Sequence, residues 1–168
     1  YLRFNNEIGS KEFTLTKELN MSRVVVPHAI GLNEHYCRRW LSIKLLERLA
    51  TMSHRALKDA TIAEAQRSHF LDGDAEFFVI TVARPLVLTE DTNSSITLGF
   101  LLNEHFKNTV RFWNDPAIPI LEVNETCERC SLPRSVCKER AVPPTIYRKQ
   151  QIQKEREQAL RRFLERVA

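Results

Sequence analysis

Sulfur is the most distinctive chemistry in this chain. Of its four cysteines, three lie together as Cys127-Glu128-Arg129-Cys130 and, seven residues on, Cys137, while Cys37 stands far upstream. A C-x2-C pair brings two thiolates to chelating reach on one tight turn, and a third nearby closes a three-ligand face. One distant residue would complete a four-coordinate set, and soft thiolates favour zinc or an iron–sulfur cluster over hard cations. Arg129, Arg134, Lys138 and Arg140 surround the cluster, and such cations favour the ionised thiol that metals bind. Two other readings stay open at this stage. The thiols could pair as disulfides, although the chain is not a small cysteine-dense scaffold. They could also stay reduced and unliganded, with Cys37 simply a core residue.

Other site chemistries find little support. His28, His35, His54, His69 and His105 are scattered and form no H-E-x-x-H pair. The only glycines are Gly9, Gly31, Gly73 and Gly99, too few and too dispersed for a P-loop or a dinucleotide fingerprint. No G-x-S-x-G elbow occurs. A dithiol redox role for Cys127 and Cys130 lacks the strand-to-helix setting it needs. The expectation is a protein that is not an enzyme.

The elements that must position the cysteines follow from periodicity. Residues 1–19 read as two short strands around a turn at residues 8–11. Residues 33–52 read as a helix capped by Asn33, with Tyr36, Trp40, Ile43, Leu46 and Ala50 on one stripe. A strand over residues 60–70 meets the hairpin signal Asp72-Gly73 and a buried strand at residues 76–83. Residues 90–95 read as a polar loop, 95–98 as a strand, 100–112 as a helix and 118–123 as a strand. Pro143-Pro144 closes the cysteine loop, and residues 145–167 form a long amphipathic helix. This order predicts an α+β fold with an antiparallel central sheet. It divides into residues 1–125, a Cys-rich loop at 126–144 and a terminal helix at 145–168.

Composition narrows the class. With 43% hydrophobic and 27% charged residues, a core of ordinary size can form. No apolar run reaches the ~20 residues needed to span a bilayer, so no membrane is expected. The net charge of +4 lies wholly on residues 145–168, with seven basic and three acidic side chains. The body is therefore neutral and not a general polyanion binder. The terminal helix would dock on the body or pair with a second subunit.

Several of these residues also carry a resemblance. They are Cys37-Arg38-Arg39-Trp40, then Gln66 ahead of Asp72-Gly73 and Ala83-Arg84, and the closing block Cys127-Glu128-Arg129-Cys130 with Cys137-Lys138-Glu139-Arg140-Ala141-Val142-Pro143-Pro144. In these the chain resembles the C-terminal sensory domain of the short-chain fatty acyl coenzyme A regulators, a family of bacterial helix-turn-helix (XRE-type) transcription regulators. The resemblance implies a GAF-like fold, an antiparallel sheet flanked by helices, in a cytoplasmic, homodimeric regulator. It implies an acyl-CoA ligand, and a DNA-binding helix-turn-helix domain that is not in this chain. It also implies an iron–sulfur cluster or other metal on Cys37, Cys127, Cys130 and Cys137. The ligand would lie between the sheet and the 33–52 helix, with Arg38, Arg39, Trp40 and Arg84 as candidate contacts. Guanidinium groups there would pair with phosphate or carboxylate.

Overall fold

Where the chain must reverse sharply, it uses residues that tolerate left-handed backbone. Gly9, at φ 88°, turns β1 (Leu2–Glu7) into β2 (Thr14–Glu18), and Asp91, at φ 63°, precedes β5 (Thr92–Leu101). The computed structural model describes residues 1–21, 34–52, 60–71, 73, 75–89, 91–141 and 145–167. Among them, β3 (Ile62–Phe70), β4 (Glu76–Pro85) and β6 (Ile120–Val123) complete a six-stranded sheet in the order β2-β1-β5-β4-β3-β6. The helices are α1 (Leu41–Ala50), α2 (Glu104–Thr109) and α3 (Thr145–Val167).

The architecture is α+β, as expected, but the sheet is mixed. β6 runs parallel to β3, pairing Arg67 with Ile120 and Phe70 with Val123. Side-chain alternation encodes which face a residue takes and not the direction of its strand. Here α2 and the turns after it carry the chain round to enter β3's free edge in the same sense.

Strand alternation assigns the two faces. Phe4, Val79, Ala83 and Thr97 turn toward α1, which buries Leu41, Ile43, Leu45, Leu46 and Leu49. One core cluster joins Phe4, Cys37, Trp40, Ile43, Leu46 and Val123, and a second joins Leu41, Leu45, Leu49 and Ala83. On the opposite face Phe78 is covered by Phe106 and Phe112. Ile80, Val82, Ile96 and Phe100 on that face are partly exposed.

Three boundary expectations are corrected. The helix predicted over residues 33–52 begins only at Leu41, with Trp40 at its N-cap position and no side-chain cap. Asn33 lies outside the described residues. Residues ahead of Leu41 are drawn out of helix by pairing with the cysteine loop. Tyr36 forms a β-bridge with Thr126, and the Cys37 N–H donates to Glu125 at 3.0 Å. Second, residues 92–95 of the expected loop and the strand at 95–98 belong to one ten-residue strand, β5. Its polar Asn93, Ser94 and Ser95 are buried because β1 and β4 flank them on both sides. Third, the 100–112 helix shrinks to six residues, capped by Asn103, whose side chain accepts the Phe106 N–H at 2.9 Å. Phe100 belongs to β5.

The Asp72-Gly73 turn and Pro143-Pro144 fall partly or wholly outside the described residues, although β3 and β4 do pair antiparallel. Among the described residues no helix is long and apolar enough to cross a membrane. α3 leaves Ile152, Leu160, Phe163 and Leu164 exposed.

Candidate metal centre

The loop after β6 is built from turns and irregular backbone among its described residues, so specific polar contacts must hold it. Its backbone is stitched to the segment before α1 on both sides of the Tyr36–Thr126 bridge. Besides the Cys37 bond to Glu125, the Cys127 N–H donates to the His35 carbonyl at 2.9 Å. Glu128, buried between the first two loop cysteines, accepts the His35 backbone N–H at 2.8 Å and lies 2.8 Å from His35 Nδ1. Arg140, also buried, donates to the Cys130 carbonyl at 3.0 Å. Arg39 donates to the carbonyls of Val136 and Glu122, and its Nε lies 3.7 Å from the Glu139 carboxylate. The Cys137 N–H closes a turn on the Pro133 carbonyl at 3.0 Å.

These ties bring the upstream cysteine to the Cys127 and Cys130 end of the loop. Cys37, Cys127, Cys130 and Cys137 are each only 3% exposed, and all are free thiols. Disulfide pairing is therefore not what the structure contains. The Cys37 thiol is pushed up to about 12, first by burial and further by Cys127 and Cys130, against the backbone amides of Asn124 and Arg39. The Cys137 thiol is raised by burial, then lowered by Arg39 and raised by Glu139 and Cys130. Cys130 thus acts electrostatically on both Cys37 and Cys137. The Cys127 sulfur accepts the Ala141 N–H at 3.4 Å and sits 3.7 Å from the Tyr36 carbonyl.

The cations differ from those expected to sit over the sulfurs. Arg129 is ion-paired to Glu34 at 2.9 Å and lies 3.9 Å from Glu125. Arg134 and Lys138 point to solvent. Arg39 is the cation that favours an ionised Cys137. Sequence reasoning assigned it to a ligand pocket, because nothing local shows that its guanidinium reaches across to the loop.

The donor chemistry fits zinc or an iron–sulfur cluster. Four soft sulfurs are shielded from water, and an N–H donor reaches one of them, the kind of bond that tunes thiolate centres. Among the described residues, however, no three His, Cys, Asp or Glu side chains already stand in a metal-holding arrangement. A bound cation would offset the cost of ionising thiols buried this deeply.

A pH dependence follows. Because Cys37 has its folded value raised above the ordinary 9.0, the folded chain holds that proton more tightly than the unfolded one. This stabilisation is complete below pH 9 and is lost as pH rises through about 12. From pH ~8 to ~10.5, reduced metal-free protein should lose roughly 2 kcal/mol more stability than Cys37→Ala. Urea unfolding at both pH values measures this, and equal losses would mean the thiol ionises in the fold as easily as in the open chain.

A cavity of about 510 Å³ opens on the other side of Trp40, between the sheet and the start of α1. Trp40, Leu41, Phe70, Phe77, Val79 and Val123 are among its walls. That volume lies in the range of small-molecule sites. Of the four expected ligand contacts, Trp40 lines the cavity. Arg38 is buried elsewhere, with its guanidinium 4.5 Å over the Phe13 ring, 2.9 Å from the Lys11 carbonyl and 3.7 Å from Glu47. Arg39 serves the cysteine loop. Arg84 is exposed on β4 and alternates with Ala83 onto the face away from α1.

In comparisons with protein-family models, with curated proteins and with solved structures, nothing matches this chain.

Proposed function

We propose that this chain is the ligand-sensing, regulatory domain of a bacterial transcription regulator, with a metal centre held by Cys37, Cys127, Cys130 and Cys137. The centre would be an iron–sulfur cluster or zinc. The observation that carries this reading is the meeting of Cys37 with the 127–137 loop, which sequence spacing alone does not require. When bound, the metal supplies the positive charge that lets buried thiolates exist. Arg39, Arg140 and Glu128 hold the loop in place around it. The cavity beside Trp40 supports an acyl-CoA or related metabolite as the sensed ligand, its apolar part inside and its charged part outside. The sheet flanked by helices supports a GAF-like assignment. Ile152, Leu160, Phe163 and Leu164 on α3 support homodimer pairing, and a monomer mass by light scattering would remove that part. DNA would be contacted by a helix-turn-helix domain that is not in this chain, and the setting would be the cytoplasm.

Metal analysis and visible absorbance of anaerobically purified protein test the centre, beside Cys127→Ser. Iron and sulfide that disappear in the variant are the expected result. Metal-free wild type would end the metal reading. Titration with acyl-CoAs of increasing chain length tests the ligand, and no heat across the series would count against it.

A second reading is favoured by the lack of helix and strand among the loop's described residues. A metal there could be a zinc staple for a dimerisation module without a metabolite. Colourless protein containing zinc, with no acyl-CoA binding, would select it.

A further inference from the structure

We infer that the cavity and the cysteine centre are coupled, through Trp40 and Gln66, so that an apolar occupant of the cavity changes the exposure of Cys37. This rests on the cavity being a ligand site and deepens that reading by naming its route to the sulfur.

The route is a pair of hydrogen bonds. The Trp40 indole N–H donates to the Asn124 carbonyl at 2.8 Å, in the residue that leads from β6 into the cysteine loop. The Gln66 amide donates to the Arg39 carbonyl at 3.1 Å and to Ser68 Oγ at 2.9 Å. Trp40 and Ser68 line the cavity. Asn124, which accepts from Trp40, and Arg39, which accepts from Gln66, are the residues whose backbone amides face the Cys37 sulfur. Trp40 also closes the turn that begins at Cys37, its N–H lying 3.0 Å from the Cys37 carbonyl. Both cavity-side groups therefore grip the backbone that surrounds one thiol.

Gln66 is fully buried, and its Oε1 lacks a hydrogen-bond partner among the described residues. Leaving a buried acceptor unsatisfied is costly, so this contact is poised to reorganise when its surroundings change. The walls are mainly apolar, so the buried part of an occupant is uncharged. A filled cavity packs Trp40 and Ser68 in place, which fixes Asn124 and Arg39 and closes access to Cys37. An empty one lets Trp40 move and the turn open.

The test uses reduced, metal-free full chain, with 1-octanol as the neutral probe. Iodoacetamide alkylation of Cys37 is followed by peptide mass spectrometry, and octanol binding is read separately by saturation-transfer NMR. Octanol is expected to slow alkylation of Cys37 at least ~5-fold, the lower end of usual coupling between sites. In Gln66→Leu and Gln66→Met, which leave the cavity walls intact, octanol should still bind while the protection falls below ~2-fold. Circular dichroism establishes which variants fold, and either one suffices. Octanol that fails to bind, that binds without protecting Cys37, or that protects both variants as well as wild type would overturn the inference. Metal is absent throughout, so the outcome is independent of whether a metal centre exists. Protection by octanol alongside no acyl-CoA binding would sink only the proposed metabolite.

Discussion

Zinc added to the reduced, metal-free chain should raise its melting temperature by roughly 8–16 °C, and Cys127→Ser should abolish most of that rise. A ligand that binds only the folded state, at a thousand times its dissociation constant, contributes about 4 kcal/mol. A chain of this size gains about 2–4 °C for each kcal/mol. The effect is large because polar contacts hold the loop and little apolar burial does. Its buried groups are the cysteines, Thr126, Glu128 and Arg140, with no helix or strand among them. Differential scanning calorimetry with and without zinc gives the number. Identical melting temperatures would mean the sulfurs bind nothing that matters to folding. Cys37→Ser tests the fourth ligand. If that variant keeps the full rise, Cys37 is a core thiol, and the centre belongs to Cys127, Cys130 and Cys137 alone.

Phe4→Ala should cost about 3–5 kcal/mol, which lowers the melting temperature by roughly 6–20 °C. Phe4 is completely buried on β1 and meets Tyr36 edge-on at 4.8 Å and Trp40 at 6.0 Å. Those two aromatics belong to the segment that carries Cys37. The N-terminal strand is thus the floor on which the cysteine-bearing turn rests, and the cavity left by truncation lies directly beneath it. Thermal unfolding followed by circular dichroism checks the prediction. A loss under ~1 kcal/mol would show that the turn is held by the cysteine loop and not by the aromatic floor.

Much of the framework is legible without coordinates. The Asp72-Gly73 signal marks β3, a run of β-branched and aromatic residues marks β4, and the turn residues around Gly9 mark the first hairpin. The wide apolar stripe marks α1 from Leu41 onward, and the amphipathic run marks α3. These are local signals, set by which face of a strand or helix must leave water. The C-x2-C pair is local in the same sense, since a short turn alone brings its two thiols together.

What failed was non-local. Asn93, Ser94 and Ser95 have the polarity of a loop, but β1 and β4 supply a ladder on each side, and tertiary pairing outweighs propensity. Tyr36 and Trp40 fit a helical stripe, yet their burial comes from Phe4 and from the backbone pairing at Thr126. Arg39 appears as a surface cation beside a ligand until the fold brings Val136 and Glu139 to it. Glu128 looks like an ordinary charged residue between two cysteines, and its burial against His35 is invisible at that distance along the chain.

By itself, then, the sequence determined most of the element types, the mainly neutral body and the cluster of three sulfurs, because these depend on neighbours within a turn or two. Only the tertiary structure decided that β6 runs parallel, that Cys37 joins the loop, and that one tryptophan stands between a cavity and a thiol. Those facts depend on which distant backbone groups find each other. Strand direction and loop closure leave no periodic mark on the residues that undergo them.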